Sequence, residues 1–587
     1  MPVFAPPLRD HLFCLYDLLD FEGHTALPGF DAFSRDVIEA VLEQSARFSS
    51  EVLYPLNRSA DEEGVQFDNG NVTTPAGFKG AYVQLVEGGW PALTADPEHG
   101  GQGMPHMVNI LFEEMLNGAC LSFGLFPGLT RGAYVAIAQH GSGAQKAQYA
   151  PKLASGEWAG SMCLTEAHCG TDLGLLKTQA RPLGDGAFAL TGTKIFISAG
   201  EHDLTPNIIY LVLARLPDAP KGSKGISLFL VPKYLVNDDG SLGARNGVSC
   251  GAVEHKMGIH GCPTCVMNFD GATGWLMGEP HQGLKAMFAM MNTERIAVGI
   301  HGLAIAEASY QNAVAYARDR LQGRAPSGPR DPAKPADPII VHPDVRRMLM
   351  TQKALTEGCR MLALWTAQAL DVSERHPDAP VRKQADELVA LMTPVVKAFL
   401  TDCGTDIANL GIQVLGGHGF IRANGQEQYV RDVRITQLYE GTNGIQSMDL
   451  LGRKVLHLGL FASFASPVTE FVTAHEGDDR LSDIVAPLAA AFDLLEDATN
   501  RMRESTQPED AGSAAVDYLR LFGLTALAYL WARAAAVSLP KANEDFHRAK
   551  LATARFFMQR ILPDTASLHA KIVAGPGPVM ALDEAMF

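Results

Sequence analysis

From about Phe30 to Ala154 apolar residues recur every three to four positions, as in Asp36-Val-Ile-Glu-Ala-Val-Leu-Glu-Gln-Ser-Ala-Arg-Phe48, a spacing that predicts amphipathic helices. Between about Trp158 and Phe269 the period shortens. The runs Phe188-Ala-Leu-Thr-Gly-Thr-Lys-Ile-Phe-Ile, Ile208-Ile-Tyr-Leu-Val-Leu-Ala and Ile226-Ser-Leu-Phe-Leu-Val are β-branched and aromatic, and Gly, Pro, Asn and Asp separate them. They predict an antiparallel β domain set between helical ones. Helical periodicity returns at Leu284 and lasts to about Leu458, interrupted by a stretch from Ala325 to Pro338 that holds five prolines and reads as a surface loop. From about Ala462 onward the chain is helical again, Ala- and Leu-rich as in Ala514-Ala-Val-Asp-Tyr-Leu-Arg-Leu-Phe522, and carries no chemical motif. The pattern predicts an α+β multidomain protein: a helical domain over 1–157, a middle β domain over 158–283, a helical bundle over 284–460 and an appended helical domain over 461–587.

Length and composition agree with several packed cores. The chain has 587 residues, more than one hydrophobic core organises. With 47% hydrophobic and 19% charged residues it suits a compact globular protein rather than a disordered one. Polar residues interrupt the apolar stretches before the roughly 20 residues that a membrane span needs, so no span is expected. The start, Met1 to Pro7, lacks the basic, apolar and small-residue sections of a secretory signal, which points to the cytoplasm. Nine scattered cysteines give no disulfide framework. Cys262-Pro-Thr-Cys265 has no second ligand pair nearby and reads as two small buried loop residues, so no metal is expected. A net charge of −17 without a dense Lys/Arg run disfavours nucleic acid as a partner. No GxGxxG follows a strand and no Walker A sequence occurs, which leaves Rossmann and P-loop chemistry unsupported.

Four clusters carry candidate chemistry. Met162-Cys-Leu-Thr-Glu-Ala-His-Cys-Gly-Thr-Asp172 is a turn at the entrance to the β region. Lys194-Ile-Phe-Ile-Ser-Ala-Gly200 alternates Phe196 and Ser198 onto one strand face. Gln413-Val-Leu-Gly-Gly-His-Gly-Phe420 closes a helix with glycines, and Leu438-Tyr-Glu-Gly-Thr-Asn-Gly-Ile-Gln446 sets an acid before a flexible turn. Taken singly, each has an ordinary structural explanation: a turn, a sheet face, a helix cap and a solvated acid.

In order and spacing, however, the four clusters resemble the acyl-CoA dehydrogenase family over about residues 40 to 455, with its TE-x-x-x-G-[ST]-D, K-x-[WF]-I-[ST], Q-x-x-GG-x-G and YEGT signatures. Asn292-Thr-Glu-Arg295, read as opening a helix, and Arg320-Leu-Gln-Gly323, read as closing it, add to the resemblance. The resemblance implies that family's fold: a helical N-terminal domain, a middle antiparallel β domain and a C-terminal four-helix bundle, here with the appended helical domain. It also implies FAD. Thr165 would bond the pyrimidine edge, Ser198 would bond near flavin N5, and Phe196, in place of the more frequent Trp, would cover the ring, with Met162 and Leu164 also among the flavin contacts. Arg320, Thr442 and Asn443 would reach the diphosphate. Gln413, Gly416 and Gly417 would reach the adenosine half across a subunit boundary, which implies at least a homodimer. Asn292, Arg295, Thr171, Tyr439 and Gly441 would contact the acyl-CoA. A frequent proline of the first signature is Ala167 here.

By the same resemblance Glu440 would take the α-proton of the thioester while the β-hydrogen leaves as hydride to the flavin, giving a trans-2-enoyl-CoA. The thioester oxygen would be held by the Glu440 backbone N–H and a ribityl hydroxyl. Electron-transfer flavoprotein would be the electron acceptor. In length and in Asn443-Gly-Ile-Gln-Ser-Met-Asp-Leu-Leu-Gly-Arg-Lys-Val455 the chain looks like the bacterial members that oxidise 3-methylmercaptopropionyl-CoA to methylthioacryloyl-CoA in dimethylsulfoniopropionate catabolism. Medium- or long-chain fatty acyl-CoA is the alternative substrate; a DNA-binding flavoprotein with little dehydrogenase activity, or an oxidase using O₂ directly, is the alternative of another class.

Overall fold

The computed structural model describes residues 4–587, so Met1–Val3, the start of the segment read for an export signal, lie outside the described residues. The chain packs as two compact units, one of residues 47–105 and 115–297, the other of residues 4–46, 106–114 and 298–587.

The first unit holds most of the helix α1 (His106–His140), which bends at Cys120, where the backbone leaves helical geometry (φ −159°, ψ 94°). It also holds a seven-stranded sheet: β1 (Ala159–Cys163), β2 (Gln179–Gly184), β3 (Ala187–Ser198), β4 (Ile208–Arg215), β5 (Ile226–Pro232), β6 (Val248–Val253) and β7 (Thr264–Met277). The long strand β7 pairs antiparallel with β3, β5 and β6; β2 with β3 and β4 with β5 are antiparallel too. The domain is mainly antiparallel, as the patterning predicts, but β1 runs parallel to β4, and β2 touches β4 in parallel at the pair Gln179–Arg215. Ladders β7–β3–β2–β4–β5–β7 close on themselves. Ile208–Ala214 and Ile226–Pro232 are buried along their whole length, so these strands read as unbroken apolar runs rather than alternating ones.

The helix α2 (Gly283–Asp319) begins in the first unit and continues in the second. Asn292–Arg295 therefore lie more than two turns inside a helix that they were expected to open. Gly283–Met291 contains no breaker after its first residue, so the helix starts earlier. In the second unit α3 (Pro343–Arg375) and α4 (Ala379–Leu415) pack together, joined by a three-residue link. α2 crosses α4 closely: a Cβ at Gly299 or Gly302 would meet the carbonyls of Val396 and Leu400 at 2.6 and 2.7 Å. A short helix α5 (Asn443–Met448) follows the turn at 439–442.

The region beyond 460 supplies α6 (Ala462–Ala474), α7 (Ser482–Glu504), α8 (Asp510–Ser538), α9 (Asp545–Arg560) and α10 (Asp564–Val573). It shares the core of the bundle. α8 packs on α3 and α4, and the Trp531 indole N–H donates to the Ala354 carbonyl at 3.1 Å. A buried ionic cluster crosses the same seam. Arg360 of α3 binds Asp10, Glu114 and Glu307, and Lys550 of α9 binds Asp10 and, at 2.7 Å, Glu357.

Two local expectations change. By length and hydropathy α1, α4 with the turn after it, and α8 are each sufficient to cross a membrane, contrary to the reading that polar residues interrupt every long apolar stretch. In those apolar windows 78, 72 and 83% is buried inside the protein, so the apolar faces serve the core. Cys262 and Cys265 are both buried, but Cys265 sits in β7 rather than in a loop. Among the described residues no His/Cys/Asp/Glu group is arranged to hold a metal.

Candidate functional site

The candidate residues fall into two sets. On the first unit, the chain leaves β1 through Leu164 and Thr165 and is tied to β3 at once: the Ile195 N–H donates to the Thr165 carbonyl at 2.9 Å, and the Lys194 ammonium donates to the Leu164 carbonyl at 2.9 Å. Lys194 is fully buried and also donates to Glu166 Oε1 at 2.9 Å. That carboxylate further accepts the Thr178 hydroxyl at 2.6 Å and the N–H groups of Lys177 and Thr178 at 2.7 and 3.0 Å. Burial raises the Glu166 carboxyl, but the Lys194 ammonium and these donors outweigh it and hold it at about 2. The pair thus nails the Leu164–Thr165 backbone to the strand.

β3 is irregular at the signature. The pairing with β7 shifts between Cys265 and Met267, and Phe196 takes a left-handed backbone (φ 60°) at that bulge. Its ring is 60% exposed, while Lys194 and Ile197 point into the core. Thr165 and Ser198 are half-buried, and the Ser161 hydroxyl fixes the Ser198 carbonyl at 2.9 Å. Met162 is half-buried on β1 and Leu164 is buried. Thr171 is exposed in the following loop, ahead of Asp172, which caps the Gly174 N–H at 2.9 Å. On α2, Asn292 and Arg295 face one another, Nη1 to Oδ1 at 3.4 Å, with Arg295 7% exposed.

On the second unit the acid lies in a strained turn. Glu440 has φ 55° and Gly441 φ 86°, two successive left-handed residues of which only one is glycine. Gln446, fully buried on α5, donates to the Glu440 carbonyl at 3.0 Å. Lys397 of α4 donates to the Gly441 carbonyl at 2.8 Å and to Asn443 Oδ1 at 2.7 Å. The Asn443 amide donates to Asp402 Oδ1 at 2.7 Å and to Thr401 Oγ1 at 2.9 Å. Thr442 caps α5 through the Ile445 N–H, and the Tyr439 hydroxyl contacts His301 Nδ1 at 2.9 Å. Tyr439 through Asn443 are thus one rigid turn. Elsewhere on this unit Arg320, just past α2, is exposed, as are Gln413, Gly416 and Gly417 at the end of α4. The Tyr316 hydroxyl meets His418 Nδ1 at 2.8 Å and draws the two helix ends together. Gly416 has φ 59°, and a Cβ on either Gly416 or Gly417 would meet open space.

Each set by itself suits part of a flavin dinucleotide. On the first unit, an aromatic residue turned outward at a strand bulge, near the half-buried Thr165 and Ser198, matches a planar group with a polar edge. On the second, an exposed arginine past the end of α2 and exposed glycine backbone at the end of α4 match a diphosphate and its nucleoside. Sequence reading did not single out four positions that hold the site in shape: Glu166, Lys194, Lys397 and Gln446. Glu166 and Lys194 are fixed letters of their signatures, and Lys397 is a lone charge in the apolar run Leu391-Met-Thr-Pro-Val-Val-Lys-Ala-Phe-Leu400, which is the signal that could have drawn attention to it.

Family models match nearly the whole chain: acyl-CoA dehydrogenase N-terminal domain over 36–157, middle domain over 161–272, C-terminal domain over 281–456, and acetyl-CoA dehydrogenase C-terminal like over 464–583. The chain is 43% identical over 585 residues to a 3-methylmercaptopropionyl-CoA dehydrogenase of Ruegeria pomeroyi, covering 97% of this chain and 98% of that protein. It is 34% identical over 604 residues to a butyryl-CoA dehydrogenase of Syntrophomonas wolfei, covering 98% of each. Among solved structures, ACDH-11 of Caenorhabditis elegans in complex with C11-CoA shares the fold with a TM-score of 0.76 at 19% identity, over 95% of this chain and 91% of that one.

Proposed function

The chain belongs to the acyl-CoA dehydrogenase family, an FAD-dependent group, and from that premise we propose that Glu440 is the base that takes the α-proton of an acyl-CoA. The observation that carries the assignment is the turn itself: an acid whose backbone is held at φ 55° by buried donors on its own carbonyl and on that of Gly441 has a fixed Cα–Cβ direction, as a positioned base requires. Thr165, Phe196 and Ser198 would hold the flavin ring, Met162 and Leu164 its edge, and Arg320, Thr442, Asn443, Gln413, Gly416 and Gly417 the rest of FAD. When bound, FAD supplies the acceptor for the hydride that leaves Cβ. Thr171, Asn292, Arg295, Tyr439 and Gly441 would bind the thioester and its CoA, with the Arg295 guanidinium suited to phosphate.

The α-proton of a thioester is too weakly acidic for a solvated carboxylate. Its removal needs a positioned base and donors at the developing negative oxygen. The Glu440 backbone N–H, presented by the same strained turn, would be one such donor.

The substrate we propose is 3-methylmercaptopropionyl-CoA, supported by 43% identity along almost the full length to an enzyme of that name. Butyryl-CoA is the second reading, favoured by the S. wolfei relative. A soluble cytoplasmic homo-oligomer passing electrons to electron-transfer flavoprotein completes the reading; the long apolar helices are occupied by the protein's own core. The test is anaerobic bleaching of the flavin absorbance by 3-methylmercaptopropionyl-, butyryl-, octanoyl- and palmitoyl-CoA. The highest kcat/KM with the methylthio substrate supports the proposal, the highest with palmitoyl-CoA makes this a fatty-acid enzyme, and no bleaching by any of them refutes dehydrogenation.

A further inference from the structure

Lys397 is the most unusual charge in the second unit. It lies on α4 with no exposed surface, inside an apolar run, and a methionine would fill its place without desolvating an ammonium. Two of its N–H donors are spent on a single target, the turn after Glu440: the Gly441 carbonyl at 2.8 Å and Asn443 Oδ1 at 2.7 Å. Asn443 in turn is anchored to Asp402 Oδ1, which also accepts from the Gln437 side chain at 2.6 Å. The chain of contacts therefore runs Lys397, Asn443, Asp402, Gln437, and it encloses residues 437–443 from both ends.

The energetic need for such a clamp is visible in the backbone. Glu440 occupies the left-handed region that a β-carbon disfavours by about 1–2 kcal/mol, and Gly441 beside it brings no stiffness of its own. Without an external hold, Glu440 would relax toward negative φ and redirect its side chain. Gln446 holds the Glu440 carbonyl, but it sits on α5 and moves with the turn. Lys397 is on a 37-residue helix packed against α2 and α3, so it ties the turn to a part of the fold that does not move with it.

We propose that Lys397 is a positioning residue for the base: its buried ammonium holds the Glu440–Gly441 turn in the left-handed conformation that aims the carboxylate. The inference rests on Glu440 being the base. It predicts that Lys397 acts on proton abstraction more than on binding of the acyl-CoA, because it donates to the turn's carbonyl and to the Asn443 amide oxygen.

The experiment uses FAD-loaded enzyme and 3-thiaoctanoyl-CoA deuterated at Cα. Sulfur replaces Cβ in this compound, so it has an exchangeable α-position and no β-hydrogen to lose, and loss of deuterium to water, followed by mass spectrometry, reads the base alone. Lys397→Met should slow that exchange by about 100-fold, the effect of misplacing a catalytic group by about an ångström. The Kd of the analogue and the FAD content should change by less than about threefold. Lys397→Gln, which keeps a shorter donor, should lie between the two. Exchange within about threefold of wild type, or an equal loss in binding and exchange, overturns the proposal. Glu440→Gln, run alongside, separates the two ideas: exchange surviving there removes Glu440 as the base, whereas exchange lost there and intact in Lys397→Met removes the clamp. A measurement on the unmutated enzyme needs no variant to fold. Amide hydrogen exchange across 440–446 should be as slow as in the neighbouring turns of α4, and exchange as fast as in the 326–336 loop overturns the clamp.

Discussion

Replacing Lys194 by methionine tests whether the Glu166 pair, rather than strand pairing alone, holds the flavin-edge segment. Lys194 has no exposed surface and Glu166 is 5% exposed, so the substitution leaves a carboxylate buried without its cation. Breaking a buried pair from one side costs about 3–5 kcal/mol. Glu166 keeps the Thr178 hydroxyl and the two N–H donors, which places the cost at the lower end, about 3 kcal/mol, or about a hundredfold in local opening. The sign of the pH effect follows from the carboxyl. Wild-type Glu166 is held at about 2, below its ordinary 4.5, so its contribution is complete above pH 4.5 and is lost as pH falls toward 2. In the variant the carboxyl loses the cation that lowers it and rises from about 2 toward its ordinary value. The deficit is then greatest at neutral pH and shrinks as acid protonates the stranded carboxylate.

A chain of two compact units does not unfold in one step, so the assay must be local. Hydrogen exchange, corrected for intrinsic rate, should show faster opening of peptides covering 160–178 and 190–200 in Lys194→Met, by about a hundredfold at pH 7 and by less as pH falls below about 4.5. FAD content after gel filtration should fall with it, since the Leu164 carbonyl loses its donor. Opening within about threefold of wild type would show that strand pairing alone sets Thr165.

Lys550→Met takes one of two cations from each of Asp10 and Glu357, leaving Arg360 and Lys353, and should lower the stability of the second unit by about 2 kcal/mol in urea, with the flavin spectrum of the surviving folded enzyme unchanged. Truncation before residue 461 should give insoluble protein, because it uncovers the α3 and α4 faces under α8; a soluble, FAD-loaded truncation would refute the shared core. Gly441→Ala sets a Cβ 2.8 Å from the Gln446 amide at φ 86°, and should reduce kcat by about tenfold or more with little change in KM; unchanged kcat would mean that the turn tolerates movement.

The repeat of apolar positions determined a great deal: helices, then strands, then helices, each changing within a few residues of where the structure changes. Periodicity needs only local geometry, 3.6 residues per turn against two per strand repeat. The signatures were equally legible, because each is a short run of residue types at fixed spacing, holding Thr165, Phe196, Ser198, Glu440 and glycines 416, 417 and 419. Three things depended on the tertiary structure. The parallel β1–β4 pairing joins residues 49 positions apart, as in Ala159 with Ile208, and a strand's own sequence does not record the direction of its neighbour. The helical region past 460 was legible as an appended domain, but nothing in one helix tells which face another will cover; in the structure Trp531 and Lys550 join it to the bundle core. The supports of the site, Glu166 with Lys194 and Lys397 with Asn443, are buried charges whose partners lie 28 and 46 residues away. A buried charge is tolerable only when a folded partner meets it, so its purpose can be read only after the fold has brought the two together.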